Sequence, residues 1–343
     1  MFRILFCQGD ILKQLAALLS VVILSNAALA QEALAPGAEP VQSILVVGQR
    51  PGPALWKVSK DDHVLWIFGS YSPLPKQMEW RSQQVETVLA NSQELLGTPG
   101  TVISVGWSNS LNMITALPFL AGVKKNVDGG RLQDQVPAAV YARWTALKQK
   151  YIGNDAGIEE ERPMFAAQTL SSRALVVAGM NGGQAVVSRI YELGKNWKIP
   201  ITTTSVSVPI ENPRETLRDF KKSKLDDVAC FTQTVDRFEK DLDTMRRRAN
   251  AWSMGDLPTM RKLDFPDEKI ACNAAVVDSK WLNNVKGAAD MRKQVKAAWI
   301  AAAEKSLAQN RSTLAVLSMS ELTSPDGMLA VLRAKGYQIE EPE

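Results

Sequence analysis

The segment Ala54-Leu55-Trp56-Lys57-Val58-Ser59-Lys60-Asp61-Asp62-His63-Val64-Leu65-Trp66-Ile67-Phe68-Gly69-Ser70 carries the pattern of an antiparallel β-hairpin. Apolar and β-branched runs stand on either side of a short polar turn, 59–62, which is how two paired strands read in a sequence. Trp56 and Trp66 are expected to be cross-strand partners that bury aromatic surface against helices. The second run ends in Gly69, with Ser70, Tyr71 and Ser72 just beyond the strand. Active residues of α/β proteins often sit at such a carboxyl end.

Downstream of Pro73 and Pro75, the spacing of Trp80, Val85, Val88 and Leu89 predicts a helix, and a short strand is expected at 101–105. Helical periodicity recurs over 108–119, 137–151, 163–177 and 185–197, and Pro stands at the start of two of these segments. The β-branched run at 199–206 favours a strand. From Val228 through Phe231, Val235, Phe238, Leu242, Met245 and Ala249 to Trp252, apolar residues step by three and four. That is a heptad seam on one long helix, serving either a hairpin within the chain or a dimer contact. Helices over 268–283 and 288–309, a strand at 313–317, a helix at 326–335 and a strand at 337–339 complete the chain. Strands near both ends must meet in one sheet, so the fold class is α/β or α+β: a central sheet of N- and C-terminal strands, with a large helical insertion, about 108–310, forming a cap.

Residues 1–30 read as a secretory signal peptide: Arg3 and Lys13 precede an apolar run, 15–24, and Ala28-Leu29-Ala30 supplies a cleavage site before Gln31. Residues 31–50, rich in Ala, Pro, Gly and Gln, read as a flexible leader to one domain, 51–343. No later stretch is long and apolar enough to span a bilayer, so a periplasmic or secreted location is expected. In such a compartment Cys230 and Cys272, the cysteines outside the signal segment, are expected to form a disulfide. With 40 Lys and Arg against 36 Asp and Glu, interspersed throughout, no basic stripe suggests a nucleic-acid partner. The cluster Arg246-Arg247-Arg248, beside Glu239, Asp241 and Asp243, reads as a solvated helix face rather than a phosphate site.

Several of these stretches together resemble the TraB/GumN family. Leu55-Trp56-Lys57-Val58, the strand running into Gly69, and Pro73-Leu74-Pro75 are similar to its opening. Ala315-Val316-Leu317, Asp326-Gly327-Met328-Leu329 and Leu332-Arg333-Ala334-Lys335-Gly336-Tyr337 are similar to its close. The stretch 252–257, with Gly255-Asp256, is similar more loosely. The relationship of this family to Tiki-type metalloproteases implies two Gly-x-x-His motifs at strand ends around a divalent metal, with acidic residues nearby. Here the first reads Gly69-Ser70-Tyr71-Ser72 and the second Ser318-Met319-Ser320-Glu321. Neither position expected to be acidic, near Gly97-Thr98 and Thr203-Thr204, carries an acid.

Neutral hydroxyls are poor ligands for zinc or manganese, so the expectation is that the family-type metal site is lost and no cofactor is held. His63, the one histidine, is expected to face solvent at the hairpin turn. The candidates for a relocated hydrolytic site are Ser70, Ser72, Glu321 and Asp326, with Lys76 as a conceivable base and Glu94 as a further carboxylate. Gly69, Tyr71 and Trp80 are candidate ligand-binding residues. The expected function is that of a degenerate member binding a peptide, envelope glycan or protein partner in the remnant cleft. The alternative is a hydrolase, peptidase or esterase, with a relocated site.

Overall fold

A computed structural model describes residues 52–104, 118–263, 268–283, 285, 288 and 290–342. The expected signal peptide and leader, and most of the helix expected at 108–119, lie outside the described residues.

The chain is a mixed α/β protein. Its strands are β1 (Leu55–Lys60), β2 (His63–Ser70), β3 (Leu74–Pro75), β4 (Glu94–Ser104), β5 (Met180–Asn181), β6 (Ile201–Pro209), β7 (Ser312–Ser318) and β8 (Gln338–Glu340). Six of them form one sheet in the order β6-β4-β7-β2-β1-β8, and β3 pairs with β5 separately. β1 is antiparallel to β2 and β8, whereas β2, β7, β4 and β6 run parallel as neighbours. Strands from both ends of the chain thus lie side by side, and the middle of the chain adds the edge strand β6.

The hairpin turn is tighter than its polar residues suggest. Lys60 pairs with His63, which leaves Asp61 and Asp62 as a two-residue turn. Asp61 takes a φ of 55°, a left-handed conformation that Asp tolerates better than most residues. The register also corrects one expectation: Trp56 faces Ile67, and Trp66 faces Lys57. Because side chains alternate along a strand, the two tryptophans project from opposite faces and are not cross-strand partners. His63 is tied down too: its Nδ1 lies 2.7 Å from the Leu307 carbonyl, to which it donates, and its side chain is only 25% exposed.

β4 begins at Glu94, seven residues before the strand expected at 101–105. Gly97, Pro99 and Gly100 look like strand breakers. A register shift against β6 between Leu96 and Pro99 absorbs them as a bulge. Leu95 and Leu96 are fully buried between β7 and β6. At the start of the strand the Glu94 carboxylate accepts hydrogen bonds from Ser306 at 2.6 Å, from Asn310 at 2.7 Å and from the Thr202 hydroxyl. Replacing Glu94 by alanine would strand these donors, and a loss of about 2 kcal/mol is expected in urea unfolding. Unchanged stability would show that water replaces the carboxylate without cost.

Around the sheet run, in chain order, α1 (Gln83–Ala90), α2 (Ala138–Tyr151), α3 (Pro163–Val177), α4 (Gln184–Asn196), α5 (Val228–Lys240), α6 (Leu242–Ser253), α7 (Leu257–Lys262), α8 (Glu268–Val277), α9 (Met291–Gln309), α10 (Met319–Thr323) and α11 (Met328–Ala334). Among the described residues no helix is long and apolar enough to cross a membrane. One apolar cluster gathers the inner strands with α1, α4, α9 and α11; another gathers α2, α3 and α5.

The heptad seam crosses from one cluster to the other, but not on one continuous helix. The chain breaks at Asp241, whose φ of −127° and ψ of 5° leave helical space. Phe231, Val235, Phe238 and Met245 are buried in the helical cluster, and Ala249 and Trp252 in the sheet cluster. The seam is therefore spent inside the chain. Cys230 of α5 and Cys272 of α8 are joined by a disulfide that closes a 42-residue separation.

Candidate functional site

The two stretches that resemble family motifs lie far apart in sequence and adjacent in space. β2 and β7 are parallel neighbours in register, Gly69 beside Leu317 and Ser70 beside Ser318. The segments leaving these strands, residues 71–73 and α10, start from one sheet end. A cleft of about 1160 Å³ opens there.

Gly69 is required by packing rather than by backbone conformation. A Cβ at that position would stand 2.6 Å from the Met319 sulfur and 2.8 Å from the Trp56 ring, closer than real contacts allow. Its carbonyl accepts a 2.7 Å hydrogen bond from the buried Trp252 indole. The stretch 252–257 thus braces the first motif. Gly255 turns the chain at φ 72°, and Asp256 caps α7 by accepting from the Thr259 amide at 2.9 Å.

Of the residues singled out in the sequence, Ser70, Tyr71, Ser72 and Glu321 line the cleft. The Ser70 hydroxyl donates to the Leu317 carbonyl at 3.1 Å. Ser318 caps α10 by accepting from the Glu321 amide at 3.3 Å, and its hydroxyl lies 2.8 Å from that of Ser320. Thr98, where an acid was sought, also lines the cleft, and its amide donates to the Tyr191 hydroxyl at 2.9 Å.

Other candidates are placed elsewhere. Asp326 is exposed and lies outside the lining, with its carboxyl held below the usual range by the Ser324 hydroxyl. Trp80 packs against Phe68 and Trp252, with ring centroids 5.8 and 6.2 Å away, and is absent from the lining. Lys76 is exposed and outside it as well. His63 begins β2, roughly 23 Å of strand from Ser70. Glu94 is engaged at the start of β4. Among the described residues no three His, Cys, Asp or Glu side chains group closely enough to hold a metal ion.

The helical side of the cleft supplies residues that the sequence reading passed over. Arg237 of α5 and Arg248 of α6 line it, with Arg261 of α7, Arg333 of α11 and Glu341 at the rim. Glu341 bridges the two rim arginines, to Arg261 at 2.7 Å and to Arg333 at 3.0 Å. Of the arginine cluster 246–248, Arg246 and Arg247 face solvent, as expected for a solvated helix face. Arg248 turns inward instead. Its Nε and Nη2 are shut off from solvent and have no hydrogen-bond partner among the described residues.

Tyr71 lies at the same inner end of the cleft. Burial pushes its phenol up from the ordinary value, opposed by the Arg248 and Arg237 guanidinium groups and reinforced by Asp241. The phenol therefore stays protonated at neutral pH. Arg237 and Asp241 are themselves buried, at 6% and 4% exposure, so this end of the cleft holds formal charges that water screens poorly. A sequence signal for the arginines did exist. Arg237 and Arg248 each precede a seam residue, Phe238 and Ala249, and are eleven positions apart, about three helical turns.

A cleft at the carboxyl ends of adjacent parallel strands, walled on one side by helices, defines an α/β protein of the kind that gathers functional residues at strand ends. This chain matches the TraB/PrgY/gumN family over residues 54–341 and belongs to that family. No curated protein and no solved structure matches it.

Proposed function

We propose that this family member acts by binding, in the periplasm or outside the cell, and that its cleft holds a peptide, an envelope glycan or a segment of a partner protein rather than a catalytic metal. The observation that carries this reading is the side-chain inventory at the paired motifs. Ser72 and Glu321 stand where the family resemblance calls for imidazoles, and both line the cleft. A catalytic zinc takes three good protein ligands, and one carboxylate among hydroxyls does not supply them. The cation balance points the same way. Arg248 lines this cleft, and a fixed positive charge there raises the cost of bringing in a divalent ion. The residues present therefore do not fit the metal that the family relationship implies.

Ser70 does not supply a metal-free hydrolase either. A serine nucleophile needs a base within hydrogen-bond reach, and the Ser70 hydroxyl is given to the Leu317 carbonyl. Export is supported by the signal-peptide pattern of residues 1–30, and a disulfide suits an oxidising compartment. Binding without turnover needs only shape and donors, and the cleft offers hydroxyls, guanidinium groups and the apolar surfaces of Val187, Leu257 and Met260.

Hydrogen exchange of the protein, with and without a pool of peptides and glycans prepared from bacterial envelope, tests this reading. Slower exchange at 70–72 and 318–324 is expected, with the pool chemically unchanged. Cleavage of pool components that a chelator abolishes, or no protection at the cleft, would count against it.

A further inference from the structure

Within that binding role, on which this step rests, we infer that the segment leaving β8 is a strap at the rim of the cleft, fastened by Glu341 and able to release, and that it controls the entry of large ligands. Glu341 follows β8 directly and lines the cleft. Its carboxylate is divided between two helices: Oε2 accepts from the Arg261 guanidinium of α7 at 2.7 Å, and Oε1 from the Arg333 guanidinium of α11 at 3.0 Å. Each of these helices sends further residues to the lining, Leu257 and Met260 from α7 and Ala330 from α11. The fastening therefore lies at the cleft itself and joins two of the elements that form it.

What can move is the strap, not the helices. Leu257 and Met260 anchor α7 in the sheet cluster, and Leu329 and Leu332 anchor α11 there. β8, by contrast, is an edge strand that meets β1 over three residue pairs, Ser59 with Gln338, Val58 with Ile339 and Lys57 with Glu340. The ion pair of Lys57 with Glu340, at 2.8 Å, holds its last residue, so release begins just beyond, at Glu341. Arg261 first, and Arg333 after it, hold the Glu341 carboxyl below its ordinary range against the opposing effect of burial, so it is charged at neutral pH. All three side chains are nevertheless about half exposed, and exposed ion pairs are weak and screened by salt. A buried bridge would be a permanent brace. A fastening of this strength holds in the free protein and gives way to a ligand that contributes more.

Thiol labelling measures the gate without any ligand. Ser70→Cys places a reporter at the half-buried end of β2, and the bridged Cys230 and Cys272 offer no competing thiol. Maleimide carried on a polyethylene glycol chain, a bulky reagent, is expected to react about two- to tenfold faster once Glu341→Gln is added, while the small iodoacetamide gains less than about twofold. Molar salt is expected to produce the same selective gain with Glu341 in place. Arg261→Gln and Arg333→Gln each give a smaller gain, and Glu160→Gln, which removes an exposed ion pair with Lys125 outside the cleft lining, gives none. Ser320→Cys, at an exposed position of the same lining, is the reporter should Ser70→Cys fail to fold. Unchanged labelling in Glu341→Gln overturns the inference and leaves the binding role intact. An equal gain for both reagents overturns it too, since that marks general loosening rather than a gate. An envelope pool that protects no part of the cleft would instead sink the binding role while leaving the strap standing.

Discussion

Replacing Trp252 by alanine is expected to destabilise the protein by about 3–5 kcal/mol, the range for truncating a large buried aromatic. Trp252 is 1% exposed and packs at ring-centroid distances of 6.1 Å from Phe68 and 6.2 Å from Trp80. Its indole N–H also satisfies the Gly69 carbonyl at 2.7 Å, where strand β2 reaches the cleft. Alanine removes both contributions and leaves a buried acceptor unpaired. Phenylalanine at 252 keeps most of the ring and removes only the hydrogen bond, so a smaller loss, about 1–2 kcal/mol, is expected. Urea unfolding of the two variants separates packing from hydrogen bonding. An alanine variant as stable as the parent would show that Trp252 does not brace Gly69.

Breaking the bridge between Cys230 and Cys272 is expected to cost about 4 kcal/mol in the chain-entropy treatment of a loop this long. The two cysteines tie α5 to α8, and these helices carry Arg237 and Asn273 into the cleft wall. Loss of the link therefore loosens the wall as well as the unfolded-state constraint. The double substitution Cys230→Ala with Cys272→Ala, followed by urea unfolding, measures the stability term without a reductant. A shift of midpoint below 1 kcal/mol equivalent, on the order of the smallest disulfide effects, would mean that packing in the helical cluster holds α8 unaided.

How much of this was legible from the sequence depended on how local the determining physics is. The hairpin, the helices at 138–151 and 163–177, and the strand at 312–318 follow from periodicity and turn chemistry carried by neighbouring residues. The meeting of the two motifs was legible only through family resemblance, because the parallel register of Ser70 beside Ser318 is set across a separation of 248 positions. β4 was read too short, since Gly97 and Pro99 are breakers in an isolated strand but are accommodated by a bulge between packed neighbours. The seam was read correctly as buried surface and wrongly as one helix: apolar spacing stays in phase across Asp241 while the backbone does not.

The lining of the cleft was half visible. Ser70, Tyr71, Ser72 and Glu321 were marked by their place at strand ends, and all four line the cleft. Trp80 was marked by chemistry alone, and tertiary packing put it in an aromatic cluster with Phe68 and Trp252. The arginines were missed for the opposite reason. A run of three charges reads as solvated surface, which describes Arg246 and Arg247 well, but successive helical residues point about 100° apart, and Arg248 turns into the cleft.

Metal content of the purified protein is the most direct test of the proposal that this cleft binds its ligand without a catalytic metal. The protein, produced in medium supplied with zinc and manganese and dialysed without chelator, is expected to carry neither ion in stoichiometric amount. One tightly held equivalent per chain, lost on replacing Ser72 and Glu321 by alanine, would contradict the account.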